Sequence, residues 1–330
     1  MKKKSMITVL LPLIILMIFT ACNNCSEEPY YPVSAEIADE TESAPEPRTV
    51  TDRAGRLVEL PDVINTIATL GASNTEIAAE LGFAGHIVAM DTFSADVYGV
   101  SSITTLIDLW NMDIEALLVL NPDVIIAASD LFFDNTLELL TQAGTAVVYI
   151  PTATTIDDIL LDISFIGYVL GAETAASELI TDTANRIEHL RRVASEITTP
   201  LLVYFEIETP PFMFTFGRGT FLNEMLELIG AVNIFADYGE WVSISDEQVL
   251  AANPDVILTN VGWMDNHLEE MQSRQGWQGL CAITNNQVFV IDTNASSRPT
   301  HNIVTALEQM ARAIYPEYFE PHFMPPLVRR

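Results

Sequence analysis

The chain states one stretch twice. Residues 115–126 read Glu-Ala-Leu-Leu-Val-Leu-Asn-Pro-Asp-Val-Ile-Ile, and residues 247–258 read Glu-Gln-Val-Leu-Ala-Ala-Asn-Pro-Asp-Val-Ile-Leu. Seven of the twelve positions are identical, among them Glu115/Glu247 and the Asn-Pro-Asp at 121–123 and 253–255. Each copy predicts the same local structure. An acid stands in the first turn of a helix, at the positive end of the dipole. Apolar residues follow at helical spacing, and Asn-Pro stops the helix because the residue before proline disfavours the α region. A short β-branched run then reads as a buried parallel strand. Two such units, 132 residues apart, imply two lobes of related build, since a solenoid would need several shorter repeats. Function then lies on the lobes or between them.

The flanking sequence extends this plan. A hairpin over 50–60 turns at Ala54-Gly55. After it, strands are predicted over 64–70, 86–90, 124–127 and 146–150, and helices over 74–81, 115–120 and 136–143. Such alternation predicts a parallel sheet covered by helices on both faces. From Thr155 it ceases. Ile156, Ile159, Ile163 and Ile166 form a helical stripe ending at Gly171, and a second helix spans 173–197. Beyond Pro200 the alternation resumes, with strands over 201–207 and 287–291 and helices over 221–229, 267–275 and 302–314 around the second repeat. The fold class is therefore α/β. A first lobe covers 48–154, a helical connector with its following helix covers 155–198, and a second lobe with a tail covers 199–330.

The N-terminus reads as a targeting segment. Lys2 to Lys4 precede an apolar run over 6–19, shorter than the ~20 residues of a membrane-spanning helix. It ends in Phe19-Thr20-Ala21-Cys22, which resembles a bacterial lipobox. Residues 1–21 would be removed, and Cys22 would carry the lipid. Residues 22–47, rich in Glu, Ser and Pro, form a flexible acidic tether that keeps the folded part near a membrane, outside the cytoplasm. Lysine occurs only at positions 2–4, and the formal net charge is −30. That charge excludes nucleic acid as a partner. The three cysteines, Cys22, Cys25 and Cys281, have no disulfide or zinc spacing, and Cys281 reads as a small apolar residue. No Gly-x-Ser-x-Gly, Walker or His-Glu-x-x-His pattern marks an enzyme.

Further motifs complete a pattern: Thr51-Asp52 with Gly55-Arg56, Asn74-Thr75-Glu76 before Leu81-Gly82, Gly217 to Phe221 before 228–233, Arg298-Pro299 and Tyr315-Pro316. With the duplicated unit, over about 48–319, they resemble the solute-binding lipoproteins of ABC importers for iron–siderophore, haem and cobalamin. The resemblance implies two Rossmann-like lobes joined by a rigid helix, with ligand in the cleft between them. It implies no intrinsic cofactor, a monomer, and an iron chelate as cargo, a ferric siderophore first and cobalamin or haem as alternatives. It also implies that Glu115 and Glu247 dock onto arginines of an ABC permease; by themselves they are also ordinary helix N-terminal acids.

Strand-end loops are where open α/β sheets bind ligands. These loops nominate Ser73, Asn74, Thr92, Phe93, Trp110, Asp130, Phe132 and Phe133 from the first lobe. From the second they nominate Tyr204, Glu206, Trp241, Trp263 and Arg298. Aromatic rings suit a large flat or apolar chelate, and Arg298 suits its carboxylate or catecholate oxygens. A direct metal-ion binder would need converging His and carboxylate ligands, and of the five histidines only His267 and His301 fall near cleft loops. A surface adhesin would need neither cleft nor permease.

Overall fold

The computed structural model describes residues 48–103, 105–128 and 134–319. The signal segment, the tether and Cys22 lie outside the described residues, as do Asp130, Phe132 and Phe133. The chain enters as an antiparallel hairpin, β1 (Arg48–Thr51) and β2 (Leu57–Leu60). Buried Asp52 builds its turn, accepting from the amides of Ala54 and Arg56 and from that of Tyr149 on the lobe beneath.

The first lobe then runs β3 (Ile67–Leu70), α1 (Ala72–Ala78), β4 (Ile87–Asp91), β5 (Leu106–Ile107) and α2 (Ile114–Leu120). It continues through β6 (Val124–Ala128), α3 (Asp134–Gln142) and β7 (Ala146–Ile150). Its five strands form one parallel sheet in the order β5-β4-β3-β6-β7. Two helices follow, α4 (Ile156–Leu170) and α5 (Glu173–Ala194). Thr155 and Asp158 close a capping box at the start of α4, and Gly171, at φ 70°, ends it in the left-handed conformation glycine tolerates.

The second lobe comprises β8 (Leu202–Glu206), β9 (Phe214–Phe216), α6 (Phe221–Leu228), β10 (Val232–Asn233), β11 (Trp241–Ser243) and α7 (Asp246–Ala252). It ends with β12 (Val256–Thr259), α8 (His267–Ser273), α9 (Cys281–Thr284), β13 (Val288–Val290), α10 (Thr293–Ser297) and α11 (Ile303–Ile314). Its main sheet is parallel, in the order β10-β8-β12-β13. The antiparallel pair β9–β11 stands apart from it. The sequence reading missed that pair, because three-residue strands carry too little periodicity.

Strand pleating sorts the core. Ala68, Leu70, Ile125, Ala127, Val147 and Tyr149 face one side of the first sheet, under α2 and α3. Their neighbours Ile67, Val124, Ile126 and Val148 face the other side, in a cluster that continues through α4, α5 and α11 to Val203, Phe205, Val256 and Leu258 of the second sheet. Helix α4 packs on α1 of the first lobe and α6 of the second. The Ile156 amide also donates to Glu224 Oε2 on α6 at 2.7 Å. One apolar cluster thus spans both sheets. Hinging them apart would expose it to water, so the connector is stiff.

The repeated stretch has a structural role in both lobes. Asn121 (φ 44°, ψ 59°) and Asn253 (φ 46°, ψ 67°) end α2 and α7 in the left-handed region. The helix stop is thus a left-handed asparagine cap, and not the extended residue that the following proline alone suggests. The next aspartate ties the new strand to its neighbour. Asp123 accepts from the amides of Asn65 and Thr66 at the entry to β3, and Asp255 accepts from the amide of Leu202 on β8. Hydrogen bonds from those amides hold the Asp123 carboxyl below its ordinary range, against burial that would raise it.

Candidate ligand-binding site

In a parallel sheet all strands end on one side, and the crevice opens where strand order reverses. The reversal falls between β3 and β6 in the first sheet and between β8 and β12 in the second. Gly71 leaves β3 at φ 118°, and a Cβ there would stand 3.2 Å from Ala128 Cβ. Glycine therefore lets the two strand exits approach closely. Buried Asp91, the last residue of β4, binds this edge together. Its carboxylate accepts from the Gly71 amide at 2.9 Å, the Phe93 amide at 2.8 Å and the Ser94 hydroxyl at 2.6 Å.

Large rings project from these exits. Phe93 follows β4, Trp110 follows β5, Phe212 follows β8 and Trp263 follows β12; Trp110, Phe212 and Trp263 are each 70% exposed or more. The sequence reading overlooked Phe212, which the Thr-Pro-Pro-Phe run at the end of β8 could have flagged. Trp241, on β11, is stacked on Phe214 with ring centroids 6.4 Å apart, and Phe214 bridges Glu208 just past the end of β8. Ser73 is half-buried in the first turn of α1. Asn74 is buried, its Nδ2 donating to the Leu70 carbonyl, so it shapes the β3 exit from beneath.

Tyr204 and Glu206 correct the sequence reading outright. They lie on β8 with the opposite pleat parity to Val203 and Phe205, and so point under α7–α9 as fully buried groups. Tyr204 packs edge-on to Phe235 and Trp277. Glu206 receives both ends of the Arg274 guanidinium, at 2.6 and 3.0 Å, and the Tyr204 hydroxyl at 3.3 Å. Arg274 also bonds Glu270 and lies 4.4 Å over the Trp277 ring. Burial pushes the Glu206 carboxyl up, and the arginine bonds oppose it. This cluster fastens the β8 exit and belongs to the second lobe's core.

Arg298 lines a cavity between the lobes and reaches across it. It follows α10 near the exit of β13, but its donors are already engaged by the other lobe. Nη2 donates to Asp96 Oδ1 at 2.5 Å and to the Phe93 carbonyl at 2.9 Å, and Nη1 lies 3.6 Å from Glu76 Oε2. Asn294 also donates to Asp96, and Thr300 and Asn302 donate to Glu76. Burial would raise the Asp96 carboxyl, but the bonds from Arg298 and Asn294 outweigh it and hold it low. These contacts join the β4 exit and α1 of the first lobe to the segment after β13 in the second, beside a cavity of about 200 Å³ that His301 also lines.

A second cavity, about 230 Å³, lies at the ends of β12 and β13 beside Trp263, lined by Met264, Asp265, His267 and Asp292. Burial holds the His267 and His301 imidazoles below their ordinary range. Among the described residues no three His, Cys, Asp or Glu side chains converge as a metal site.

Glu115 and Glu247 are both exposed, in the first turns of α2 and α7. Each helix runs back from the strand-exit edge of its sheet, so both carboxylates sit on the side where the cleft opens. Bonds from the Ser245 hydroxyl and its own amide hold the Glu247 carboxyl low.

Two parallel sheets stiffly joined by a helix, with exposed rings at strand exits of each and a bridge through Arg298 between them, define a bilobal binding protein. The chain belongs to the periplasmic binding protein family, whose sequence model matches residues 67–295. It is 28% identical over 281 residues to the ABC transporter substrate-binding lipoprotein YvrC of Bacillus subtilis, covering 83% of this chain and 87% of that one. It is 27% identical to the vitamin B12-binding protein of Vibrio cholerae, over 77% of this chain and 90% of that one. A possible iron-binding periplasmic solute-binding protein of Staphylococcus epidermidis shares its structure at TM-score 0.68, with 29% identity over 76% of this chain and 99% of that one. These relatives are substrate-binding proteins and not enzymes.

Proposed function

We propose that this extracytoplasmic binding protein captures a bulky organic metal chelate, of ferric-siderophore, corrinoid or haem type, and delivers it to an ABC permease. The supporting observation is the set of exposed rings at the strand exits: Phe93 and Trp110 on one lobe, Phe212 and Trp263 on the other. Water-facing indoles are costly unless something covers them. Covering most of one tryptophan contributes roughly 2–4 kcal/mol gross at ~25 cal/mol per Å². Glu115 and Glu247 are the docking contacts, one per lobe, and Cys22 carries the lipid anchor. The names of the relatives support cobalamin and iron as cargo chemistry.

The test is tryptophan fluorescence titrated with ferric siderophores, haem and cobalamin. One chelate should quench saturably at equal stoichiometry, and Trp110→Ala and Trp263→Ala should each weaken it about tenfold, the equivalent of ~1.4 kcal/mol. Absence of saturable binding across the panel, or unchanged affinity in both variants, would refute the reading.

A further inference from the structure

The Gly217-Arg218-Gly219-Thr220-Phe221 run brings a cation to the edge of the cleft. Helix α6 starts at Phe221 and feeds β10, which lies parallel to β8, so α6 begins on the side where the strands end. Its first turn meets the first lobe's side of the molecule, since Glu224 Oε2 accepts from the Ile156 amide just past β7. Arg218, exposed and three residues before α6, therefore stands on the strand-exit edge. The backbone there is tightly fixed. The Gly217 amide donates to the Glu240 carbonyl at 2.7 Å, the Arg218 amide to the Tyr238 carbonyl at 3.0 Å, and the Glu240 amide to the Arg218 carbonyl at 2.8 Å. A Cβ at Gly217 would stand 2.2 Å from the Tyr238 carbonyl oxygen, so glycine is what lets the two segments close. The same pairing continues into β9 and β11, where Trp241 lies opposite Phe216 and stacks on Phe214. Tyr238 and Trp241 each keep about two-fifths of their surface in water. A guanidinium is thus fixed next to a ring platform at the second lobe's rim. Its charge is also open. Arg218 Nη2 donates to the Asp237 carbonyl at 2.8 Å, and neither Asp237 nor Glu240 forms an ion pair with it. Arg298, by contrast, is bridged to Asp96 and Glu76. One carbonyl leaves most of the five guanidinium N–H groups of Arg218 free, and their planar fork matches the paired oxygens of a carboxylate or catecholate.

We propose that Arg218 is a specificity-determining contact of the cleft, receiving an anionic oxygen on the rim of the chelate, a carboxylate or a catecholate, while Trp241 covers the adjoining apolar face. This rests on the chelate-binding function proposed above. It gives Arg218 the role that the sequence suggests for Arg298, which instead ties the lobes together.

Isothermal titration of the full chain tests it with haemin, whose rim bears carboxylates, with an anionic ferric tris-catecholate, and with cyanocobalamin, neutral overall. Wild type should bind haemin or the tris-catecholate, and which of the two it binds separates carboxylate from catecholate as the oxygen source. Arg218→Gln should weaken that probe about tenfold, a charge-assisted contact being lost, and Arg218→Lys should restore part of the loss as a point charge without the fork. Raising the salt should weaken the probe's binding to wild type more than to Arg218→Gln. Arg218 is exposed, so a thermal melt should find both variants folded as wild type is. Should either not fold, the ranking of the three probes in wild type and its salt dependence still decide. An anionic probe that binds Arg218→Gln as tightly as wild type, or a wild type that binds only chelates lacking an anionic rim, overturns the role of Arg218 and leaves the chelate reading standing. Failure of these probes and of every ferric siderophore to bind removes both.

Discussion

Replacing Arg274 by alanine would test how the exit of β8 is held. The change strips Glu206, whose side chain is fully buried, of both guanidinium bonds and leaves it the Tyr204 hydroxyl alone. Removing one partner of a buried pair costs about 3–5 kcal/mol. An independent route gives a similar figure. Glu206 can escape by taking up a proton, which at pH 7 costs ~3.7 kcal/mol from an ordinary glutamate pKa of ~4.3. Glu270 is partly exposed and adds little once it is solvated. The expected loss is therefore about 3–4 kcal/mol, measured as a lower urea midpoint at unchanged slope. The proton route also fixes a pH signature. In Arg274→Ala the folded-state pKa of Glu206 lies above its unfolded value, so stability is lost as pH rises through it. At pH 5 the protonation cost falls to ~1 kcal/mol, and the variant should recover up to ~2.7 kcal/mol relative to wild type, less what wild type gains through its own raised Glu206 carboxyl. The pair Glu206→Gln, Arg274→Met removes both charges and should cost less than Arg274→Ala alone. A loss below about 1 kcal/mol at pH 7, or a deficit that does not shrink by pH 5, would refute the account of a buried charge held by one guanidinium.

Three further outcomes are expected. Asp162, on α4 beside Arg53 at 2.6 Å, has its carboxyl pushed up to about 6 by burial against the opposing arginine bond. Its contribution is present below ~pH 4 and is lost as pH rises through about 6, so wild type should lose on the order of 2–3 kcal/mol relative to Asp162→Asn across that window; parallel denaturation curves would disprove it. Asn121→Ala should cost about 1–2 kcal/mol because alanine resists the left-handed cap, and Asn121→Gly less. Asn253→Ala should cost more, since Asn253 Oδ1 also accepts from the Cys281 amide at 2.9 Å; equal losses at the two sites would count against that bond. With a cognate ABC permease in proteoliposomes, the double variant Glu115→Ala, Glu247→Ala should keep its chelate affinity within about twofold yet lose ATPase stimulation, with high salt partly mimicking the loss. Full stimulation would leave the two residues as helix-start acids.

Much of the fold was legible in the chain because it rests on local signals. Hydrophobic period alone marks β3, β6, β8 and β12 and the long helices α4 and α5. The twice-stated stretch marks the two lobes, since its helix, cap and strand all lie within twelve residues. Exposed rings at strand exits were legible for the same reason, a strand end being a local event; Trp110 and Trp263 stand where that logic places them. The partners of charged and buried groups were not legible. Tyr204 and Glu206 looked like exit residues, yet the pleat turned them beneath α8 toward Arg274, 68 residues from Glu206. Arg298 looked free for a ligand until folding brought Asp96, 202 residues away, into contact with it. By itself, then, the sequence determined two α/β lobes, a stiff helical join and an aromatic strand-exit edge. Only the tertiary structure decided which cations remain available there, because charge pairing depends on distances through space that no local periodicity encodes.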